Sequence, residues 1–230
     1  MMSTERRGPV VVIGMGRSGT SYVASLLDAA GYGLGAELKP ADGANEAGYY
    51  EDVEVTQMHE RRLAELELDL ETVSDGFPLP ATPAAAEEVR SYVAHREAAG
   101  GPWGVKPPGA LFFWPAWREA LPRSTILALP FRHPDAVVGS YVASGGTRER
   151  AEALWLQLNR LALNAIDSGP FEGVVLNFDR PERVSRRLSA VLGVEVPDTY
   201  RPELRHHRGS IAPSGELGVL FRELLLRAAL

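Results

Sequence analysis

Short apolar runs alternate along the chain with stretches of helical periodicity. Val10–Ile13, Thr125–Leu129 and Val174–Phe178 are each bounded by turn residues and followed by a plausible helix, the pattern of strands buried on both faces of a parallel sheet. Trp103–Lys106 is a weaker fourth run between Gly100-Gly101-Pro102 and Pro107-Pro108, and glycine-rich Gly31–Gly35 is a poorer fifth. Helical spacing is clearer. Val23, Leu26, Leu27 and Ala30 follow an i, i+3, i+4, i+7 pattern, and Leu154, Leu158, Leu161 and Ala165, at i, i+4, i+7 and i+11, keep the same helical spacing between Arg148 and Asp167. Leu217, Leu220, Phe221, Leu224, Leu225 and Ala228 make a broad apolar stripe on a last helix. Thr82 and Pro83 have the chemistry of an N-cap and first helical residue for a helix running to about Ala99, and Pro134 opens another to about Ala143. This alternation predicts an α/β fold of three layers, a mostly parallel sheet flanked by helices. Without repeats, low-complexity tracts or a clear linker, residues 1–230 read as one domain.

The most informative junction lies between the first strand and its helix, "VVVIGMGRSGTSYVASLL". Glycines after a buried strand let backbone N–H groups converge on an anion at the positive end of the next helix. Gly14, Gly16 and Gly19 satisfy the dinucleotide fingerprint G-x-G-x-x-G. The acidic partner expected about 20 residues on is Glu37, which follows Gly31-Tyr-Gly-Leu-Gly and no β-branched run. Gly14 to Ser21 matches a triphosphate-binding loop except that Thr20 stands where lysine belongs, and the strand at Thr125–Phe131 ends in Arg132, not an aspartate for magnesium. What the loop offers is a cation at Arg17 before the hydroxyl of Thr20. That suits a 5′-phosphate carrying a smaller transferring group, without a metal. A bare turn is the alternative.

Composition narrows this. The chain is 45% hydrophobic and 23% charged, as ordinary globular domains are. Its net charge of −6 gives no overall attraction for nucleic acid, so an anion site must be a local device. The absence of cysteine excludes disulfides and thiolate metal sites and fits a cytoplasmic protein. No segment approaches the roughly 20 apolar residues of a membrane helix, so neither membrane nor nucleic acid is an expected partner.

A second anion site is suggested by "LPFRHPDAVVGSYVAS", where a strand delivers Arg132 to the sheet's C-terminal edge and Pro134 opens a helix carrying Ser140. A surface ion pair is the alternative for a lone arginine. Two separated anion holders suggest a ligand with phosphates at both ends.

With both motifs in view, the chain resembles the sulfotransferases that use 3′-phosphoadenosine 5′-phosphosulfate (PAPS). G-x-G-R-S-G-T-S looks like their 5′-phosphosulfate loop, and R-x-P-x-x-x-x-x-S at Arg132, Pro134 and Ser140 looks like their 3′-phosphate motif. "GVKPPGALFFWPAWREALPRSTILALPFRHP" resembles the lysine-bearing strand and the helix leading into that motif. "NEAGYYEDVEVTQMHERRLAEL" looks like the segment after the second strand in bacterial and carbohydrate-type members. The resemblance covers roughly residues 8 to 180.

It implies a P-loop nucleoside-triphosphate-hydrolase-like sulfotransferase fold and sulfuryl transfer from PAPS to a hydroxyl, or secondarily an amine, of a small molecule or glycan. No metal is implied. Gly16, Arg17, Ser18, Gly19, Thr20 and Ser21 would hold the 5′ end, Arg132 and Ser140 the 3′-phosphate, and Arg208-Gly209 looks like a late contact of some members. Lys106 and Arg17 would be the catalytic cations, with a solvated strand-end lysine as the other reading of Lys106. Cytosolic members use a histidine two residues after the strand lysine. Here that position is Pro108. The base expected in its place is a carboxylate, ranked Glu46, then Glu51, with His59 third against a plain polar-face histidine. Phe112, Phe113, Trp114 and Trp117 are core residues or acceptor-pocket lining, and Asp69–Pro80 and Ser144–Thr147 are loops suited to act as lids. The protein would be a monomer or homodimer. The alternatives are a P-loop nucleotide or small-molecule kinase, and an inactive protein that binds PAPS or its product without transferring anything.

Overall fold

The computed structural model describes residues 8–43, 45–68, 78–204, 207–209 and 211–229. Among them the strands are β1 (Val10–Val12), β2 (Gly104–Val105), β3 (Ile126–Phe131) and β4 (Glu172–Asn177). The helices are α1 (Thr20–Ala29), α2 (Val53–Ala64), α3 (Pro83–Ala99), α4 (Trp114–Ala120), α5 (Pro134–Ala143), α6 (Arg148–Ser168), α7 (Pro181–Leu192) and α8 (Gly215–Ala229). The sheet is parallel throughout, in the order β2-β1-β3-β4.

The period-2 alternation of a strand explains why the strand sequences are apolar without interruption. Val11, Leu127, Leu129 and Phe131 enter a core shared with α2, α3, α4, α6 and α8, while Val10, Val12, Ile126 and Ala128 face α1 and α7. Three layers result, as the alternation predicts. The helix starts follow their caps. The Thr82 hydroxyl accepts from the N–H of Ala85 at 3.2 Å, and that of Thr147 from Arg150 at 3.3 Å.

Two strand expectations change. Gly31–Gly35 is no strand: it makes an isolated bridge, Gly33 to Trp103, because its glycines bring few side chains to a pleated surface. β3 runs on through Pro130, which a central strand ordinarily excludes. Ile126 donates toward Pro9 and Ala128 accepts from Ile13, so the even positions of β3 face β1. By Pro130 the first strand has already turned into the glycine loop, and the missing N–H deprives no partner. The longer strand carries Arg132 to the same edge as that loop.

Of the two proposed lids, Ser144–Thr147 is the short connection between α5 and α6. Residues 69–77 of Asp69–Pro80 lie outside the described residues; Leu79 beyond them donates its N–H to the carbonyl of Phe112 at 2.7 Å. No helix among the described residues is long and apolar enough to cross a membrane.

Candidate active site

The glycine loop turns from β1 into α1 at the C-terminal edge of the sheet. Gly19 is the N-cap of α1 at φ 92°, and it supplies no side chain to the free N–H groups of the first turn. A Cβ there would lie 2.5 Å from the Phe178 ring, so glycine is required both by backbone and by space. Arg17 also adopts a left-handed conformation, φ 66°, with an exposed side chain whose guanidinium donates to the Ser144 hydroxyl at 3.4 Å. A non-glycine residue in that region costs about 1–2 kcal/mol, a strain typical of functional turns. The Ser18 hydroxyl is fully buried and has no hydrogen-bond partner among the described residues. An unpartnered hydroxyl in a loop beside an uncapped helix start fits an anion as its missing partner.

β2 is only two residues long, yet it fixes Lys106 beside this loop. The Lys106 ammonium lies 2.6 Å from Glu51 Oε1 and 3.4 Å from the Ser21 hydroxyl. Both charged residues are nearly closed off, 7% and 8% exposed. Burial pulls the lysine below its ordinary range, and the adjacent Glu51 carboxylate opposes that shift. Glu51 is held from behind by Asp52, the N-cap of α2. The buried Asp52 carboxylate accepts from the N–H of Glu54 at 3.1 Å and from the Tyr92 hydroxyl at 2.9 Å. Loop, lysine and carboxylate share one cavity of about 190 Å³, whose lining also includes Phe112 and Leu158.

Arg132 follows β3 and is nearly buried. It donates to the carbonyls of Arg17, at 3.4 Å, and His207, and its guanidinium lies 5.5 Å from the Phe178 ring. The late segment 207–209 packs here. A Cβ on Gly209 would strike the His133 ring, and one on Gly139 would approach His207. Arg208-Gly209 is therefore brought to the edge that carries Arg132, with the Arg208 side chain exposed. Ser140, half-buried on α5, accepts at its carbonyl from Ser144.

The three candidate bases are separated by the structure. Glu51 reaches Lys106 and lines the cavity; Glu46 is exposed and is not among the lining residues. Glu51 directly precedes Asp52, the N-cap of α2, and of the two carboxylates it is the one that meets Lys106. His59 is no polar-face histidine: it is 1% exposed, stacked on Phe113 with ring centroids 4.7 Å apart. Trp117, which can only donate, gives its indole N–H to His59 Nε2 at 3.0 Å, so Nδ1 carries the proton and donates to the Pro108 carbonyl at 2.6 Å. Both nitrogens are occupied. Phe113, Trp114 and Trp117 are core, and Phe112 is both core and cavity wall.

Burial lowers the His59 pKa from 6.5 to about 4, against the opposing effect of the Pro108 hydrogen bond. Between those values the unfolded chain binds the proton that the folded one refuses. This contribution to stability is complete above pH 6.5 and is lost as pH falls toward 4, by about 3 kcal/mol. Denaturant melts at pH 7 and pH 4.5 should show a smaller loss in His59→Gln than in the parent; equal losses would contradict the assignment.

Sequence reasoning missed the aromatic group just past the C-terminal end of β4, where Tyr22, Phe178 and Tyr200 lie 5.6–6.3 Å apart and Phe178 meets Arg132 and Gly19. Nothing in the spacing of these residues signals it. Asp52 had a readable signal, an N-cap residue directly before an apolar-periodic stretch. Among the described residues, no cluster of three His, Cys, Asp or Glu side chains is placed to hold a metal ion.

Neither a family model nor a curated protein matches the sequence. Among solved structures, the sulfotransferase domain of the Synechococcus PCC 7002 olefin synthase matches 99% of this chain and 97% of its own, with TM-score 0.55 and 17% identity. The sulfotransferase domain of the curacin biosynthetic pathway matches 93% and 82%, with TM-score 0.49 and 16% identity. The first of these likenesses spans essentially the whole of both chains, and it shows that this chain has the sulfotransferase fold.

Proposed function

We propose that the chain transfers a sulfuryl group from PAPS to an acceptor hydroxyl. One observation carries this reading: a buried lysine–carboxylate pair, 2.6 Å apart, opens onto the same cavity as an anion loop with an unpartnered hydroxyl and an uncapped helix N-terminus. The fold of the olefin synthase sulfotransferase domain supports it.

The residues fit the donor. Ser18, Thr20, Ser21 and the loop N–H groups suit the 5′-phosphosulfate, with Arg17 in the same loop as a further cation. Arg132, Ser140 and Arg208 suit the 3′-phosphate. PAPS when bound supplies the sulfuryl group, whose sulfur exchanges its bond to a 5′-phosphate oxygen for one to the acceptor oxygen. Glu51 takes the acceptor proton. Lys106, Arg17 and the loop dipoles stabilise negative charge on the departing phosphate oxygen, without reorganising during the step. An incoming anion competes with Glu51 for Lys106, leaving the carboxylate a freer base.

Adenosine 3′,5′-bisphosphate is expected to stabilise the protein where ATP and NAD do not. At a concentration 100 times its Kd the gain is about 2.7 kcal/mol, or roughly 5–10 °C in Tm for a chain of this size. No shift at millimolar nucleotide would overturn the reading. Arg132→Ala should erase roughly 10- to 100-fold of the preference for the bisphosphate over adenosine 5′-phosphate, the value of a charge-assisted hydrogen bond. Because Arg132 also holds the 17 and 207 carbonyls, the ratio of the two affinities is the measurement that matters.

A further inference from the structure

The cavity beside Lys106 and Glu51 has few polar side chains in its lining, those of Glu51, Lys106 and Thr20. The remaining side chains are apolar, from Val12, the turn 107–111 after Lys106, Phe112 and, on α6, Leu158. Much of that turn's backbone is engaged within the protein. The carbonyls of Pro107, Gly109 and Ala110 accept from the N–H groups of Ala110, Phe112 and Phe113 at 3.2, 2.8 and 3.2 Å. The Pro108 carbonyl accepts from His59, and that of Phe112 from Leu79. Pro107 and Pro108 have no N–H, and those of Ala110 and Phe112 are already donating. His59, which the transfer reaction does not use, thus has a consequence here: it occupies the Pro108 carbonyl, which no backbone N–H among the described residues reaches.

We infer that the acceptor carries its reacting hydroxyl on an apolar stem about the size of a six-membered ring, and that Phe112 and Leu158 select it. The inference rests on the sulfuryl-transfer reading for the reaction but on the wall alone for the class of molecule. A space of about 190 Å³, shared with the transferring group, is comparable with an apolar cavity of about 150 Å³ that holds one benzene. A sugar would bring a hydroxyl on nearly every carbon next to the reacting one. Each would leave water for the side chains of Pro107, Pro108, Phe112 and Leu158, which offer no hydrogen bond. The glycan among the expected acceptors is therefore disfavoured at the reacting end, whatever the rest of the acceptor does beyond the cavity.

Cyclohexanol and myo-inositol test this directly, since they share a ring and differ in the hydroxyls added to it. Binding to the protein is read by ligand-observed NMR with and without adenosine 3′,5′-bisphosphate, and transfer by product formation from PAPS. Cyclohexanol should be preferred by about 100-fold or more, the discrimination an apolar pocket makes against an added hydroxyl. Leu158→Thr should lower cyclohexanol binding about 10-fold and leave myo-inositol unchanged. Equal or tighter binding of myo-inositol, or no binding of either, overturns the inference, and the parent protein suffices to observe both. If the bisphosphate fails to bind while cyclohexanol still does, the sulfuryl-transfer reading falls and the apolar pocket stands.

Discussion

Glu51→Gln is expected to lower turnover by about 10²- to 10⁴-fold while leaving the thermal shift with adenosine 3′,5′-bisphosphate in place. The factor is the usual contribution of a positioned general base, about 3–5 kcal/mol in the barrier. The substitution keeps the volume of the side chain but removes its charge from a contact of 2.6 Å with Lys106. Burial already pulls the lysine down, and Glu51 is the group that opposes this. Without the carboxylate the ammonium is left in a nearly closed site, where the cheaper outcome is to lose its proton. Glu51→Gln therefore weakens the cation as well as removing the base. For that reason Lys106→Met and Glu51→Gln should be strongly non-additive, the double variant being little slower than either alone. Additive losses would show that the two side chains act independently. Turnover within threefold of the parent would remove Glu51 from the chemistry and return the role of base to Glu46.

Gly19→Ala should cost about 2–5 kcal/mol of stability and remove nucleotide binding. A left-handed alanine accounts for about 1–2 kcal/mol. Moving the Phe178 ring away from a Cβ at 2.5 Å accounts for about 1–3 more. At 2–4 °C per kcal/mol for a chain of this size, Tm falls by roughly 5–20 °C. Gly31→Ala is the control, because Gly31 has a similar φ of 83° and nothing within 4 Å of its missing Cβ. It should lose the first contribution only and bind the bisphosphate normally. If the two variants lose the same stability, the close approach of Phe178 to the loop is not a constraint on the fold.

The features that could be read from the chain are those in which chemistry is local. β1, the glycine loop and α1 are continuous in sequence, so the candidate anion site at their junction is legible from the order of residue types. The same holds for Arg132, delivered by the strand just before it, and for the Thr82-Pro83 start of α3. The failures are also instructive. Gly31–Gly35 has the length of a strand, but among the described residues only Gly33 forms a strand-type bridge. Pro130 argues against a central strand, and only the early end of β1 shows why it is tolerated. His59 sits among charged residues on α2, and no periodicity reveals that it faces Phe113 and Trp117.

Glu46 and Glu51 mark the boundary most clearly. They have the same chemistry and lie five residues apart. Their difference comes from the Asp52 cap, the Tyr92 hydroxyl and the bridge between Leu38 and Asp52, contacts that span from two to forty residues of chain. The layered α/β architecture and the residue types of two candidate anion sites are legible in the chain, since periodicity and strand-to-loop order are local properties. Which carboxylate meets Lys106, why His59 stays neutral and which apolar side chains join them around one cavity depend on the tertiary structure. Burial and ion pairing are properties of neighbours that the chain brings together only on folding.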